Sequence, residues 1–159
     1  MITNISIAAM YARNIALMTE YTNGMTHAQS LLAPHPRANC AHWLVGHLCV
    51  YRNRLLHMIG APPAIDDAAV KRYIRDTPPV LNDEPGLTKF EVLRAALLAS
   101  QQPLADGFIA RAHDGASASF TWGIAPNALT MSTSDWFVYL LRHEAYHTGQ
   151  LELCAELVR

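Results

Sequence analysis

The 159-residue sequence predicts an all-α fold, a four-helix bundle with a long crossover connection between helices 2 and 3. Three observations predict it. Ala (24) and Leu (19) far outnumber Ile (9) and Val (7), so helix formers dominate over the β-branched residues that strands favour. Pro and Gly gather at a few places and leave long segments nearly free of both. Within those segments apolar residues recur three and four apart, the period of one helix face.

The first helix is expected from about Ile5 to Leu32, with Tyr11, Ile15, Met18 and Met25 on its apolar face and Pro34-His35-Pro36 as its stop. The second is expected from an N-cap at Asn39 to Ile59, ended by Gly60 and Pro62-Pro63. A long connection follows from Gly60 to Gly86, with a short helix inside it from Asp66 to Ile74. Thr88 with Glu91 three residues on reads as a capping box that opens the third helix. Phe90, Leu93, Leu97, Leu104 and Phe108 form its inner face, and Pro103 should kink it. An irregular stretch is expected from His113 to Thr130, and the fourth helix starts between Ser132 and Ser134 and runs to the C-terminus. No internal repeat is visible, so residues 1–159 read as one domain.

Composition narrows the function classes. The chain is 51% hydrophobic and 16% charged, which excludes a disordered chain. Its net charge of -1 lacks the basic excess of a protein held to nucleic acid by phosphate contacts. No basic segment precedes an apolar run at the N-terminus, and no long uncharged apolar stretch follows, so neither a signal peptide nor a membrane span is expected. Cys40, Cys49 and Cys154 lack C-x-x-C spacing and read as reduced core thiols of a cytoplasmic protein. The low charge content points to apolar surface covered by a second copy, a homodimer.

Polar residues on core-facing stripes carry the functional information. On the fourth helix the stripe Trp136, Leu140, His143, His147, Gln150, Cys154, Leu157 keeps a strict alternation of four and three. Three consecutive members are polar, and each unpaired buried polar group costs on the order of 1–3 kcal/mol. The second helix has one such member, His47, in the stripe Cys40, Leu44, His47, Tyr51, Leu55. Residues four apart on a helix are stacked about 6 Å apart on one face, so His143 and His147 can grip one ion. His47 from a facing helix would complete a three-histidine site with positions left open for water or substrate. A single divalent cation would satisfy all three rings. The other histidines (His27, His35, His42, His57, His113) fall off the stripes or at helix ends and read as surface or local packing residues.

His143-Glu144-Ala145-Tyr146-His147 also spells H-E-x-x-H, the zinc-peptidase helix. Only twelve residues follow His147, all on the same helix, and none supplies the usual third ligand. Glu144 stays a candidate catalytic base, beside the alternative of a solvated flank residue. Gln150 is a candidate for holding a ligand ring or orienting substrate, and Tyr51 for contacting a cofactor. Trp43, Trp122 and Trp136 can line a pocket mouth or pack. Arg52, Arg54 and Arg142 can bind an acidic cofactor group, but are expected rather on a solvated face.

The segments His42-Trp43-Leu44-Val45-Gly46-His47-Leu48 and His143-Glu144-Ala145-Tyr146-His147-Thr148-Gly149-Gln150 together resemble the DinB/YfiT-like superfamily. That resemblance implies a four-helix bundle and a metal-binding triad, one histidine in a W-x-x-G-H-L context and two in an H-x-x-x-H-x-G-Q context. Carried over, the triad is His47, His143 and His147. The resemblance further implies a divalent metal, zinc or nickel, and activation of a low-molecular-weight thiol in transfer to, or isomerisation of, a small-molecule substrate. A hydrolase using metal-bound water with Glu144 as base, and a non-catalytic bundle stabilised by its metal, stay open beside it.

Overall fold

A computed structural model describes residues 3–110, 119–122 and 128–159. Its helices are α1 (Asn4–Tyr21), α2 (His27–Ser30), α3 (Ala41–Met58), α4 (Asp67–Val70), α5 (Phe90–Ala99), α6 (Gln101–Ala110) and α7 (Thr133–Glu156). A 3₁₀ turn over Lys71–Tyr73 extends α4, and two short strands, β1 (Ser119–Trp122) and β2 (Leu129–Ser132), pair antiparallel before α7. The architecture is all-α with this one small ribbon among the described residues. Four rods form the body: α1, α3, the α5–α6 pair and α7.

Local chemistry explains where each rod begins and ends. The Thr3 hydroxyl accepts from Ser6 N–H at the start of α1, and Ile7, Tyr11, Ile15 and Met18 bury one face. The helix expected to reach Leu32 stops at Tyr21, because Gly24 turns the chain at φ 71°. A capping box of Thr26 and Gln29 then opens the short α2. The N-cap of α3 is Cys40, not Asn39, and no side chain caps it. The box expected at Thr88 does not form, since Lys89 is the N-cap of α5 and the Thr88 hydroxyl donates to Ala69 C=O in the connection. Pro103 lacks an N–H for the carbonyl four residues back, and the third rod breaks there, at Ser100 between α5 and α6. Ser132 caps α7 through Asp135 N–H.

Packing sets the arrangement. α1 lies against α6 and α7, and α3 against α5 and α7. Contacts between α3 and the third rod advance in the same order along both: His42 with Thr88, Cys49 with Leu93, Arg52 with Gln101. The connection from Gly60 to Lys89 therefore carries the chain back to the level where α3 began. Asn53 anchors it, with its amide donating to Ile65 C=O and Asp67 and its oxygen accepting from Ala64 N–H. Gly46 admits it closely, because a Cβ at this position would collide with the Tyr73 ring.

Two apolar clusters stack along the bundle. One gathers Trp43, Leu44, Leu48, Phe90, Leu93, Leu97 and Leu151; the other gathers Tyr11, Leu55, Ile59, Leu104, Phe108, Trp136 and Leu140. Between them lies a layer of polar side chains from α1, α3, α6 and α7, and this layer holds the candidate site. The three cysteines are buried and free, and burial pushes the thiols of Cys49 and Cys154 up to about 12 and about 11. No helix of the described residues is long and apolar enough to cross a membrane.

Candidate metal centre

The polar layer brings together the three histidines singled out by the stripes. One nitrogen each from His47, His143 and His147 lie within 4.8 Å of one another. The ring centroids of His143 and His147 are 4.4 Å apart, and His47 stands 5.3 Å and 4.9 Å from them. His143 and His147 meet because they are one turn apart on α7. His47 meets them because α3 packs directly on α7.

Hydrogen bonds behind the rings set their tautomers. His47 Nδ1 lies 2.6 Å from Tyr73 C=O, which can only accept, so Nδ1 carries the proton and Nε2 presents a lone pair. His147 Nδ1 lies 2.6 Å from Gln150 Oε1, with the same consequence for its Nε2. His147 Nε2 faces His143 Nε2 at 3.1 Å, while His143 Nδ1 is buried with no partner among the described residues. The donor set therefore suits a cation. Nitrogens each about 2.1 Å from one ion stand roughly 3–4 Å apart, a spacing the His143–His147 pair already has. Burial holds all three rings neutral: it lowers His47 to about 4, His143 to about 3, and His147 below its ordinary value.

Aromatic rings wall the cluster. Trp43 stacks on His47 at 4.3 Å, and Tyr51 lies 4.0 Å from the His143 ring and 4.7 Å from His47. The cluster opens into a cavity of about 920 Å³ that also touches Arg54, Trp122, Trp136 and Arg142. Trp136 Nε1–H donates to Phe120 C=O, which ties the ribbon to α7 and sets Trp122 at the cavity wall. The stretch expected to be irregular thus contributes strands; His113 lies outside the described residues.

The structure corrects the reading of Glu144 and Arg52. Glu144 is neither a solvated flank residue nor a cavity residue. It is 3% exposed, with Oε2 accepting from Arg52 Nε at 2.6 Å and Oε1 from Arg52 Nη2 at 2.8 Å and Asn14 Nδ2 at 3.2 Å. Arg52, expected on a solvated face, is 1% exposed. Both carboxylate oxygens are engaged by Arg52 and Asn14, and Glu144 does not line the histidine cavity. The reason is the position of α7, which packs on α1 as well as α3. A second stripe of Phe137, Leu141, Glu144, Thr148, Leu151 and Ala155 is therefore buried beside the first. Leu157, placed on the inner stripe, is 46% exposed near the helix end.

Gln150 supports His147 from behind and donates its amide to Tyr146 Oη at 3.3 Å. Sequence reasoning missed the Tyr73 carbonyl. Its signal was Gly46, a lone glycine inside an apolar helix, which marks a close approach of another segment.

His42, read as a surface or packing residue, is completely buried against His27, Tyr73 and Phe90, with Nε2 on Thr88 C=O. Burial lowers it to about 4 against an ordinary 6.5. Its folded value is below its unfolded value, so its neutral form stabilises the fold above pH 6.5 and that stability is lost as pH falls from 6.5 toward 4. The expected loss is on the order of 3 kcal/mol. Melting curves of chelated protein from pH 7 to 4 check it: His42→Gln should show a shallower decline than wild type, and equal declines would refute the assignment.

A family model described as the DinB superfamily matches residues 10–151, a span that includes α3, most of α7 and all three histidines of the cluster. No curated protein matches the chain.

Proposed function

Taking as premise that the chain belongs to the DinB superfamily, we propose that it is a metal-dependent enzyme that activates a small thiol for transfer to, or isomerisation of, a small-molecule substrate. The observation that carries the reading is the cluster of three neutral imidazoles at the floor of an open cavity. His47, His143 and His147 would hold a divalent ion, zinc or nickel. Such an ion supplies a positive charge that makes a bound thiol a stronger acid.

The chain's own residues define what else happens there. The Tyr73 carbonyl and Gln150 hold the Nδ1 protons of His47 and His147, which keeps their Nε2 lone pairs aimed inward. Three neutral ligands add no negative charge of their own. Among the described residues the cavity wall carries a single carboxylate, Asp76, and its nearest cation is Arg75 at 3.7 Å. An anionic sulfur therefore meets little repulsion at the cluster. Trp43 stacks on the face of His47 and Tyr51 lies against His47 and His143, so aromatic rings cover part of the cluster. The engagement of Glu144 by Arg52 and Asn14 weighs against the hydrolase reading, which needs that carboxylate as a base.

The test uses the cobalt-substituted protein and 2-mercaptoethanol. A new near-ultraviolet absorption band, saturating with thiol at one equivalent per metal, is the expected result. A spectrum unchanged by excess thiol, with metal bound, would reject thiol activation.

A further inference from the structure

Arg54 is a half-buried cation that Asp67 attracts through space, but no carboxylate among the described residues reaches it at ion-pair or hydrogen-bond distance. Burial draws its pKa down, and no hydrogen-bond acceptor meets its guanidinium among the described residues. Its Cζ lies 3.8 Å over the Trp122 ring and 5.8 Å from that of Tyr51. A guanidinium seated on an aromatic face keeps its in-plane N–H fork free, and that fork matches a carboxylate in two-point geometry. Desolvating such a group without a partner is unfavourable, so its position calls for one.

Arg54 also stands between two spaces. It lines the histidine cavity and a neighbouring cavity of about 580 Å³, and Val50, Ile74 and Trp122 are shared by both. The neighbouring wall is largely apolar, with Met58, Pro63, Val70 and Phe120. Its carboxylate, Asp67, accepts from the Asn53 amide at 2.8 Å. On the histidine side Arg142 has no carboxylate partner among the described residues, and Asp76 is taken up by Arg75. Positive charge is therefore in excess where the two cavities join.

We propose that Arg54 is the recognition residue for a carboxylate on a small ligand whose apolar body lies in the cavity beside Trp122 and whose reacting end faces His47, His143 and His147. The location of the reacting end rests on the thiol-activation reading; the carboxylate contact rests on Arg54 alone. The carboxylate belongs either to the acceptor or to the thiol, and the probes separate the two.

Calorimetric titration of the metal-free and the zinc-loaded protein uses two matched pairs: phenylacetate against phenylacetamide, and mercaptoacetate against mercaptoacetamide. At least one acid should bind about tenfold or more tightly than its neutral partner, as expected for a hydrogen-bonded charge pair. Discrimination in the first pair places the carboxylate on an apolar acceptor; discrimination in the second places it on the thiol. Arg54→Met should abolish the preference, and Arg54→Lys should keep part of it, since an ammonium retains the charge without the planar fork. Arg37→Gln, on an exposed loop, should leave it unchanged. A preference that survives Arg54→Met in a folded protein, or equal binding of acid and amide in both pairs, overturns the proposal. Failure of the protein to take up zinc with the preference intact in the metal-free form would instead count against the metal reading only.

Discussion

Glu144→Gln is expected to lower the melting temperature by roughly 6–20 °C while leaving the histidine cluster able to bind metal. The carboxylate and Arg52 form a two-point ion pair with almost no exposure, and Asn14 adds a third hydrogen bond. Removing one partner of such a pair leaves the other charge buried, at a cost of about 3–5 kcal/mol. In a domain of this size each kcal/mol corresponds to about 2–4 °C. Replacing both partners by apolar residues, Arg52→Met with Glu144→Leu, should recover much of the loss, because it removes the uncompensated charge. Thermal unfolding of the single and double variants checks the energetics, and metal content of Glu144→Gln checks the separation from the site. A change below about 2 °C would show that the pair contributes little. Loss of metal in a folded Glu144→Gln protein would restore Glu144 to the site.

Alanine at His47, His143 or His147 is expected to remove bound metal, from about one ion per chain to less than a tenth of that after dialysis. Each ring would be one of three donors, and two nitrogens do not hold an ion against water as three do. Gln150→Leu should retain the ion with an affinity weakened by about 10–100-fold, since it frees the His147 ring without removing the donor. His42→Gln should leave metal content unchanged, although it lies five residues from His47 on the same helix, because its ring packs toward Thr88 and Phe90. Elemental analysis alongside circular dichroism decides each case. Full metal content in any folded triad variant would remove that residue from the ligand set.

These two experiments address groups that the sequence distinguished unequally. The triad was legible because each of its members interrupts an apolar stripe, and a polar residue on such a stripe signals a partner. Glu144 was not, because stripe analysis assigns one buried face per helix. A rod in contact with two neighbours buries a second face, and Glu144 lies on it. Arg52 was misplaced for the same reason, on a helix buried nearly all round. The first helix was drawn too long because Met25 and Leu32 continue the period across Gly24, where the backbone turns. The ribbon before α7 was missed although Ser119-Phe120-Thr121-Trp122 and Leu129-Thr130-Met131-Ser132 each alternate in polarity, because runs this short do not separate a strand from irregular chain by period alone.

What the sequence determined by itself were the helical rods, their principal inner stripes and the identity of three histidines, since all of these follow from periodicity along a single chain segment. Only the tertiary structure decided that Tyr73 offers its carbonyl to His47, that Arg52 closes on Glu144 and that Arg54 rests on Trp122. Each of those contacts joins residues on different elements. Their meeting depends on how the rods and the returning connection pack, and no local spacing records that.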